Sequence, residues 1–199
     1  SPTYYGVLSD LPALAEVMHR HGGVLVVDGA HGGHLPFLGD YGLNAADLLV
    51  VSAHKTLPPP GQTALLFSNG TFSHAGLRRA ASIYGSSSPS YPMMAALDLC
   101  RAHMLEGGTE AYSRTAEEVA RLRERFPALT EQDAPLDPTR LVLCAPDGYA
   151  AQEALEAQNV WPEMADGGHV VLIPTCADSR SDFARLEEAL RQVALGPCP

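Results

Sequence analysis

Three short runs, VLVVD (24–28), LLVVS (48–52) and TALLF (63–67), constrain the fold more than any other feature of this chain. Each is continuously apolar and rich in Val and Leu, where a half-exposed strand would alternate, so each predicts a strand covered on both faces. A helical pattern precedes them. In SDLPALAEVMHRHGG, Ser9 is placed as the N-cap, Leu11, Leu14, Ala15 and Met18 share one face, and Gly22 and Gly23 form the stop. Helix followed by short apolar strands is the order of an α/β protein. The connections 29–47 and 53–62 are rich in Gly and Pro and read as loops. The direction of the third strand stays open, because a ten-residue loop is short for a parallel crossover through a helix.

Past SSSPSY, a long helical stretch begins near Tyr91, is interrupted by Gly107 and Gly108, and resumes to about Phe126. The interruption predicts a domain boundary, with a larger domain over 1–106 and a smaller α/β domain over 107–199. In the latter, RLVLC (140–144), a helix near 148–157, extended VWPEM, HVVLI (169–173) and a closing helix near 181–194 follow one another.

A chain of 199 residues is long enough to bury a substantial core. Its formal net charge of -10 opposes binding to a phosphate backbone, so nucleic acid is not an expected partner, whereas a cationic small molecule would be attracted. No apolar run is long enough to span a membrane and no basic-then-apolar leader stands at the start, so a cytoplasmic location is expected. Cys100, Cys144, Cys176 and Cys198 fit neither a metal knuckle nor a compact disulfide framework, and a reducing compartment is the simpler reading.

Polar residues cluster just beyond two of the apolar runs. Asp28 and His31 follow the first, and Ser52, His54 and Lys55 follow the second. Open α/β sheets bind ligands at such carboxyl ends. A lysine there suits an aldehyde cofactor held as a Schiff base, and an aspartate at a neighbouring strand end suits a protonated pyridine nitrogen. Ala30, two places past Asp28, is small enough to let a ring lie flat. Taken singly, each of these residues is equally a structural or solvated group. His31 and His34 as metal ligands lack a third partner at a recognised spacing, so no metal is expected.

VDGAHGGHLPF followed by ADLLVVSAHKTLPPPGQTALLF resembles the core of the bacterial-type ornithine/lysine/arginine decarboxylases, pyridoxal phosphate enzymes of the aspartate aminotransferase fold. SPTYYGVLSDL, SSSPSYPMMAALD and VWPEMADGGHVVLIPT resemble the same family in the same order, which extends the match over nearly the whole chain. The resemblance implies a mostly parallel sheet with helices in the larger domain and decarboxylation of a small basic amino acid, a reaction of polyamine biosynthesis. It also implies a homodimer or higher homo-oligomer, and a site in which Lys55 holds the cofactor and Asp28 meets its ring nitrogen. Ala30 would pack on the ring, Ser52 and His54 would contact the phosphate, His31 would reach the phenolic oxygen, and Ser1 would lie nearby. Gly29 stands where the family usually has Glu, and Pro60 and Gly61 where it commonly has Leu and Thr. The family's preceding segments are not in this sequence, so the chain reads as a carboxyl-terminal part, and a complementary amino-terminal segment is an expected partner. Another reaction on the same scaffold, such as transamination, or a non-catalytic fragment, are the competing readings. Ser86–Tyr91 reads either as a capping turn or as a segment near a dimer partner's site. Asp40, Asp47 and Glu163 are candidates for substrate recognition by residue type alone.

Overall fold

The structure, a computed structural model, describes residues 1–86 and 88–198. The chain divides into two compact units, one made of Ser1 and Ser9–Gly108, the other of Pro2–Leu8 and the residues from Thr109 onward. No helix among the described residues is long and apolar enough to cross a membrane.

In the first unit, α1 (Leu11–Arg20) starts one residue later than the sequence suggests. Asp10, not Ser9, is the N-cap, and its side chain accepts from the amide of Ala13. Pro12, in the first turn, costs no helical hydrogen bond there, and Gly22 at φ 71° supplies the left-handed residue that ends the helix. β1 (Val26–Asp28) pairs in parallel with β2 (Leu48–Ser52), which pairs antiparallel with β3 (Ala64–Ser68). The expected mostly parallel sheet is thus a mixed one, since the short 53–62 link turns the chain straight back. That link is not wholly a loop, because it opens with the single-turn helix α2 (Ala53–Thr56).

The strands are also not covered on both faces. Val27, Leu49 and Val51 point inward and pack with Leu11 of α1, whereas Val26, Val50 and Leu66 are 57%, 40% and 51% exposed. An apolar residue at every position conceals the alternation of faces that the backbone nevertheless imposes.

Between β3 and the long helix the sequence reading contains no element, yet α3 (His74–Tyr84) forms there, capped by Ser73, whose hydroxyl accepts from the amide of Gly76. The stretch Ser86–Tyr91 includes Ser87, which lies outside the described residues. From Tyr91, α4 (Tyr91–Arg125) runs without a break through the two glycines. A Cβ on Gly107 would meet nothing within 4 Å, and the bare Cα of Gly108 gives room to the Phe37 ring and the Met104 side chain. These glycines are therefore sites of weakened propensity and close packing that leave the helix intact.

The second unit holds an antiparallel sheet in which β6 (His169–Leu172) lies between β4 (Leu141–Cys144) and β5 (Met164–Ala165). β4 is buried at all four positions, under Val119 and Leu122 of α4, Leu155 of α5 (Gly148–Glu156) and Phe183 of α6 (Arg180–Leu190). Asp147 caps α5 through the amides of Tyr149 and Ala150, and Ser179 with Asp182 forms a reciprocal capping box on α6. Cys144 is joined to Cys198 across 54 positions, with Cα atoms 4.9 Å apart. This link, in which Cys100 and Cys176 take no part, runs against the reading of a reducing compartment. The amide of Gly196 donates to the carbonyl of Cys144, so the tail lies along the end of β4, a proximity that Cys spacing cannot reveal.

Candidate active site

The parallel pairing of β1 and β2 sets Asp28 opposite Val50, so both strands release their next residues at one edge of the sheet. Beyond Asp28 the chain turns at once. The Gly29 amide donates to Val50 O at 2.8 Å, the Ala30 amide to Asp28 Oδ1 at 3.0 Å, and the Gly32 amide to Gly29 O at 2.8 Å. A Cβ on Gly29 would sit 2.6 Å from Leu49 Cδ1 and 3.2 Å from Val50 O, so a side chain there would require the tip of Leu49 to move. The turn folds His31 inward, where it is 5% exposed.

Beyond Ser52, α2 begins without a side-chain cap and carries His54 and Lys55 in its single turn. Lys55 Nζ lies 3.2 Å from His31 Nε2, joining the two loop segments side chain to side chain. An ammonium has donors only, so toward a charged Lys55 it is Nε2 that accepts. His54 is fixed differently. Its Nδ1 meets Thr63 O at 2.8 Å, and because a carbonyl only accepts, Nδ1 carries the proton and the exposed Nε2 is left as the basic atom. Thr63 in turn donates its hydroxyl to Pro60 O at 3.0 Å, bracing the proline loop.

Asp28 is exposed at the end of β1, and its Oδ1 accepts from the Ala30 amide. Ala30 is half-buried. Ser52 is half-buried, and its hydroxyl makes no capping bond. Ser1 belongs to the same unit as these residues. Its amine donates to Asp28 O at 2.7 Å, and its hydroxyl accepts from the Ser9 amide at 3.0 Å. His34 is 1% exposed and stands in the packing below the turn.

The acidic candidates separate by environment. Asp47 is buried and accepts from His19 Nε2, the Leu25 amide, Asn69 Nδ2 and Thr71 Oγ1 at 2.7–3.1 Å. Those donors, His19 first, hold its carboxyl well below the usual carboxylate range, and none of its capacity is left for a substrate. It ties α1 to the residues before β1 and after β3, at the end of the sheet opposite Asp28. Asp40 accepts from the Gly42 amide at 2.8 Å and closes a local turn. Glu163 is exposed in the second unit.

A cleft of about 1000 Å³ lies elsewhere in the first unit, between Leu49, Val51, Leu65 and Phe67 of the sheet and Met94, Leu97 and Met104 of α4. Neither Asp28, His31 nor Lys55 lines it, and its walls are mostly apolar, with Asp98, Cys100 and Arg101 of α4 among the few polar or reactive groups.

The sequence model described as the major domain of the Orn/Lys/Arg decarboxylases matches residues 1–140. The chain belongs to the Orn/Lys/Arg decarboxylase family. Among proteins similar to it, the uncharacterized protein YaaO of Bacillus subtilis is 34% identical, over 87% of this chain and 40% of its own length. An arginine decarboxylase of Bacillus subtilis is 28% identical over 98% of this chain and 44% of its own length. The chain thus spans less than half the length of these family members. Among solved structures, the lysine decarboxylase LdcF of Francisella novicida superposes with a TM-score of 0.76 at 18% identity, over 96% of this chain and 35% of that one. A NifS-like protein of Rickettsia africae gives 0.74 at 13% identity, over 95% and 58%. At such identities the likeness is one of fold.

Proposed function

We propose that this chain carries the cofactor-holding edge of a pyridoxal phosphate-dependent decarboxylase of a basic amino acid. One observation carries the reading. Lys55 is the only lysine in the sequence, against twelve arginines, and it stands on the turn after β2 in side-chain contact with the residue three places past Asp28. A surface cation could be either residue, whereas an aldehyde requires a primary amine.

The residues present fit the cofactor by their chemistry. Lys55 supplies the amine for its aldehyde, Asp28 a carboxylate for its ring nitrogen, and Ala30 a small side chain against its ring. Ser52 and the exposed Nε2 of His54 offer a hydroxyl and an imidazole for its phosphate, with Ser1 close to Asp28. When bound, pyridoxal phosphate supplies an electron sink for the pair left behind as the α-carboxylate departs. Asp28 keeps that sink effective by favouring the protonated ring nitrogen through ion pairing. Lys55 would hold the cofactor through its amine, and His31, on the same turn as Asp28, would serve its phenolic oxygen.

Lysine, arginine and ornithine are the substrates that the family and its named members support. A homodimer or higher homo-oligomer, a larger domain over 1–106 with a smaller one over 107–199, and a cytoplasmic setting belong to the same proposal, as does a complementary segment from a longer polypeptide. The test is addition of pyridoxal phosphate followed by borohydride reduction and peptide mapping. A stable pyridoxyl adduct on Lys55, absent from Lys55→Ala, is expected. An adduct only on the terminal amine of Ser1 refutes the assignment. With the full-length protein, release of carbon dioxide separates decarboxylation from transamination, which yields a keto acid.

A further inference from the structure

We propose that His31 is the base that takes the proton Lys55 must lose before its amine can attack an aldehyde. The inference rests on the reading of Lys55 as the cofactor-holding amine and assigns His31 a role that precedes any bound cofactor. A lysine with an ordinary pKa near 10.4 is neutral in only about one molecule in 2,500 at pH 7, so an unaided amine is a slow nucleophile there. The structure places an imidazole nitrogen 3.2 Å from that amine.

His31 is suited to the task by its surroundings. The turn through Gly29 and Gly32 fixes it, burial holds it out of bulk water, and its Nε2 faces Lys55 Nζ at hydrogen-bond distance. The other titratable groups on the two segments are Asp28 and His34 beside His31, and His54 beside Lys55, with the Ser1 amine on the Asp28 carbonyl. His54 Nδ1 is committed to Thr63 O, on the side of α2 that faces the proline loop.

The step balances without any oxidant or reductant. An N–H bond breaks at Nζ and one forms at Nε2, and the electron pair left on Nζ forms the bond to the aldehyde carbon. As that bond forms the C=O pair moves onto oxygen, which takes the proton from Nε2 to give a carbinolamine. A second proton leaves Nζ through Nε2 to the hydroxyl, which departs as water while the freed nitrogen pair closes the C=N bond. The reactive pair carries one shared proton in excess of the neutral state, so its population is constant between the pKa of the imidazole and that of the amine. Below about pH 6.5, the ordinary value for imidazole, a second proton removes the acceptor and sets two cations side by side.

That constancy is the test. Imine formation between Lys55 and pyridine-4-carboxaldehyde is followed from pH 5.5 to 10 by absorbance, and the product is located by borohydride trapping and peptide mapping. Lys55 is the only lysine, so the terminal amine is the one other primary amine to resolve. The wild-type rate is expected to be flat from about pH 7 to 9 and to fall below about 6.5. In His31→Gln, whose amide oxygen can still accept from Nζ but cannot carry the proton onward, the rate at pH 7.5 is expected to drop about 100-fold and then rise tenfold per pH unit. Imidazole added to His31→Ala is expected to restore the lost rate. A wild-type rate that itself rises tenfold per unit across pH 7–9 overturns the proposal without any variant. So does a His31→Gln protein with the wild-type profile, which would leave His31 a positioning residue only. Because the probe bears no phosphate, a chain that fails to hold pyridoxal phosphate still gives a readable profile, and the two proposals fail separately.

Discussion

Alanine at Gly148 and alanine at Gly107 are expected to move stability in opposite directions. Both are helical glycines, and a helix gains about 0.5–1 kcal/mol from alanine in its interior. At Gly107, in the middle of α4, a Cβ would meet nothing within 4 Å, so the gain is uncancelled. At Gly148, the first residue of α5, a Cβ would lie 2.2 Å from Asp166 O, 2.5 Å from His169 O and 2.9 Å from His169 N. All three are backbone atoms of the β5–β6 hairpin and cannot rotate away, so the hairpin itself must shift. Overpacking of this kind costs about 1–3 kcal/mol, at or above its upper end where backbone must yield, which outweighs the helical gain. With a urea slope of about 2 kcal/mol/M, Gly148→Ala lowers the midpoint by about 1 M and Gly107→Ala raises it by about 0.3 M. The single tryptophan, Trp161, reports unfolding of the unit that contains Gly148, and circular dichroism reports α4. A Gly148→Ala protein with a midpoint at or above wild type would refute the steric argument, and a lowered midpoint in Gly107→Ala would refute the claim of open space.

Two further outcomes follow from the second unit. Tyr5 donates to an Asp166 carboxylate that also accepts from the Gly168 and His169 amides, and these bonds, Tyr5 first, hold its carboxyl at about 2. A depressed carboxyl contributes stability that is full above about pH 4 and is lost as the pH falls toward 2, so Tyr5→Phe should move the Asp166 transition upward in a carboxyl-carbon NMR titration and narrow that window. An unchanged transition counts against the bond. Cys198→Ser opens a covalent loop of 54 positions and should cost about 2–5 kcal/mol, with the same loss on reduction of the wild type; equal stability with and without dithiothreitol counts against the link.

Where a residue's neighbours along the chain determine its state, the sequence is informative. The positions of β1, β2 and β4 and the stop at Gly22 follow from local pattern and turn chemistry. The motif residues Asp28, His31 and Lys55 can likewise be picked out, because a polar group just past an apolar strand is conspicuous. What depends on distant chain segments is not legible. Asp47 is indistinguishable in type from Asp40, and only the arrival of His19, Asn69 and Thr71 makes it a closed structural carboxylate. The union of Cys144 with Cys198 depends on where the tail runs. The unbroken course of α4 through two glycines depends on Phe37 packing against Gly108. The contact of His31 with Lys55 combines both kinds of information, since each residue is visible alone but their meeting requires the parallel register of β1 and β2.

The solitary ε-amine on α2 has a practical corollary for anyone who handles this polypeptide. Dyes, surface-coupling esters, fixatives and crosslinkers aimed at amines ordinarily scatter over many harmless positions. Within these 199 residues they have a single side-chain destination, and it is the turn beside His31. Amine labelling here is thus a modification of that turn, and tags meant to leave it intact are better attached through other chemistry.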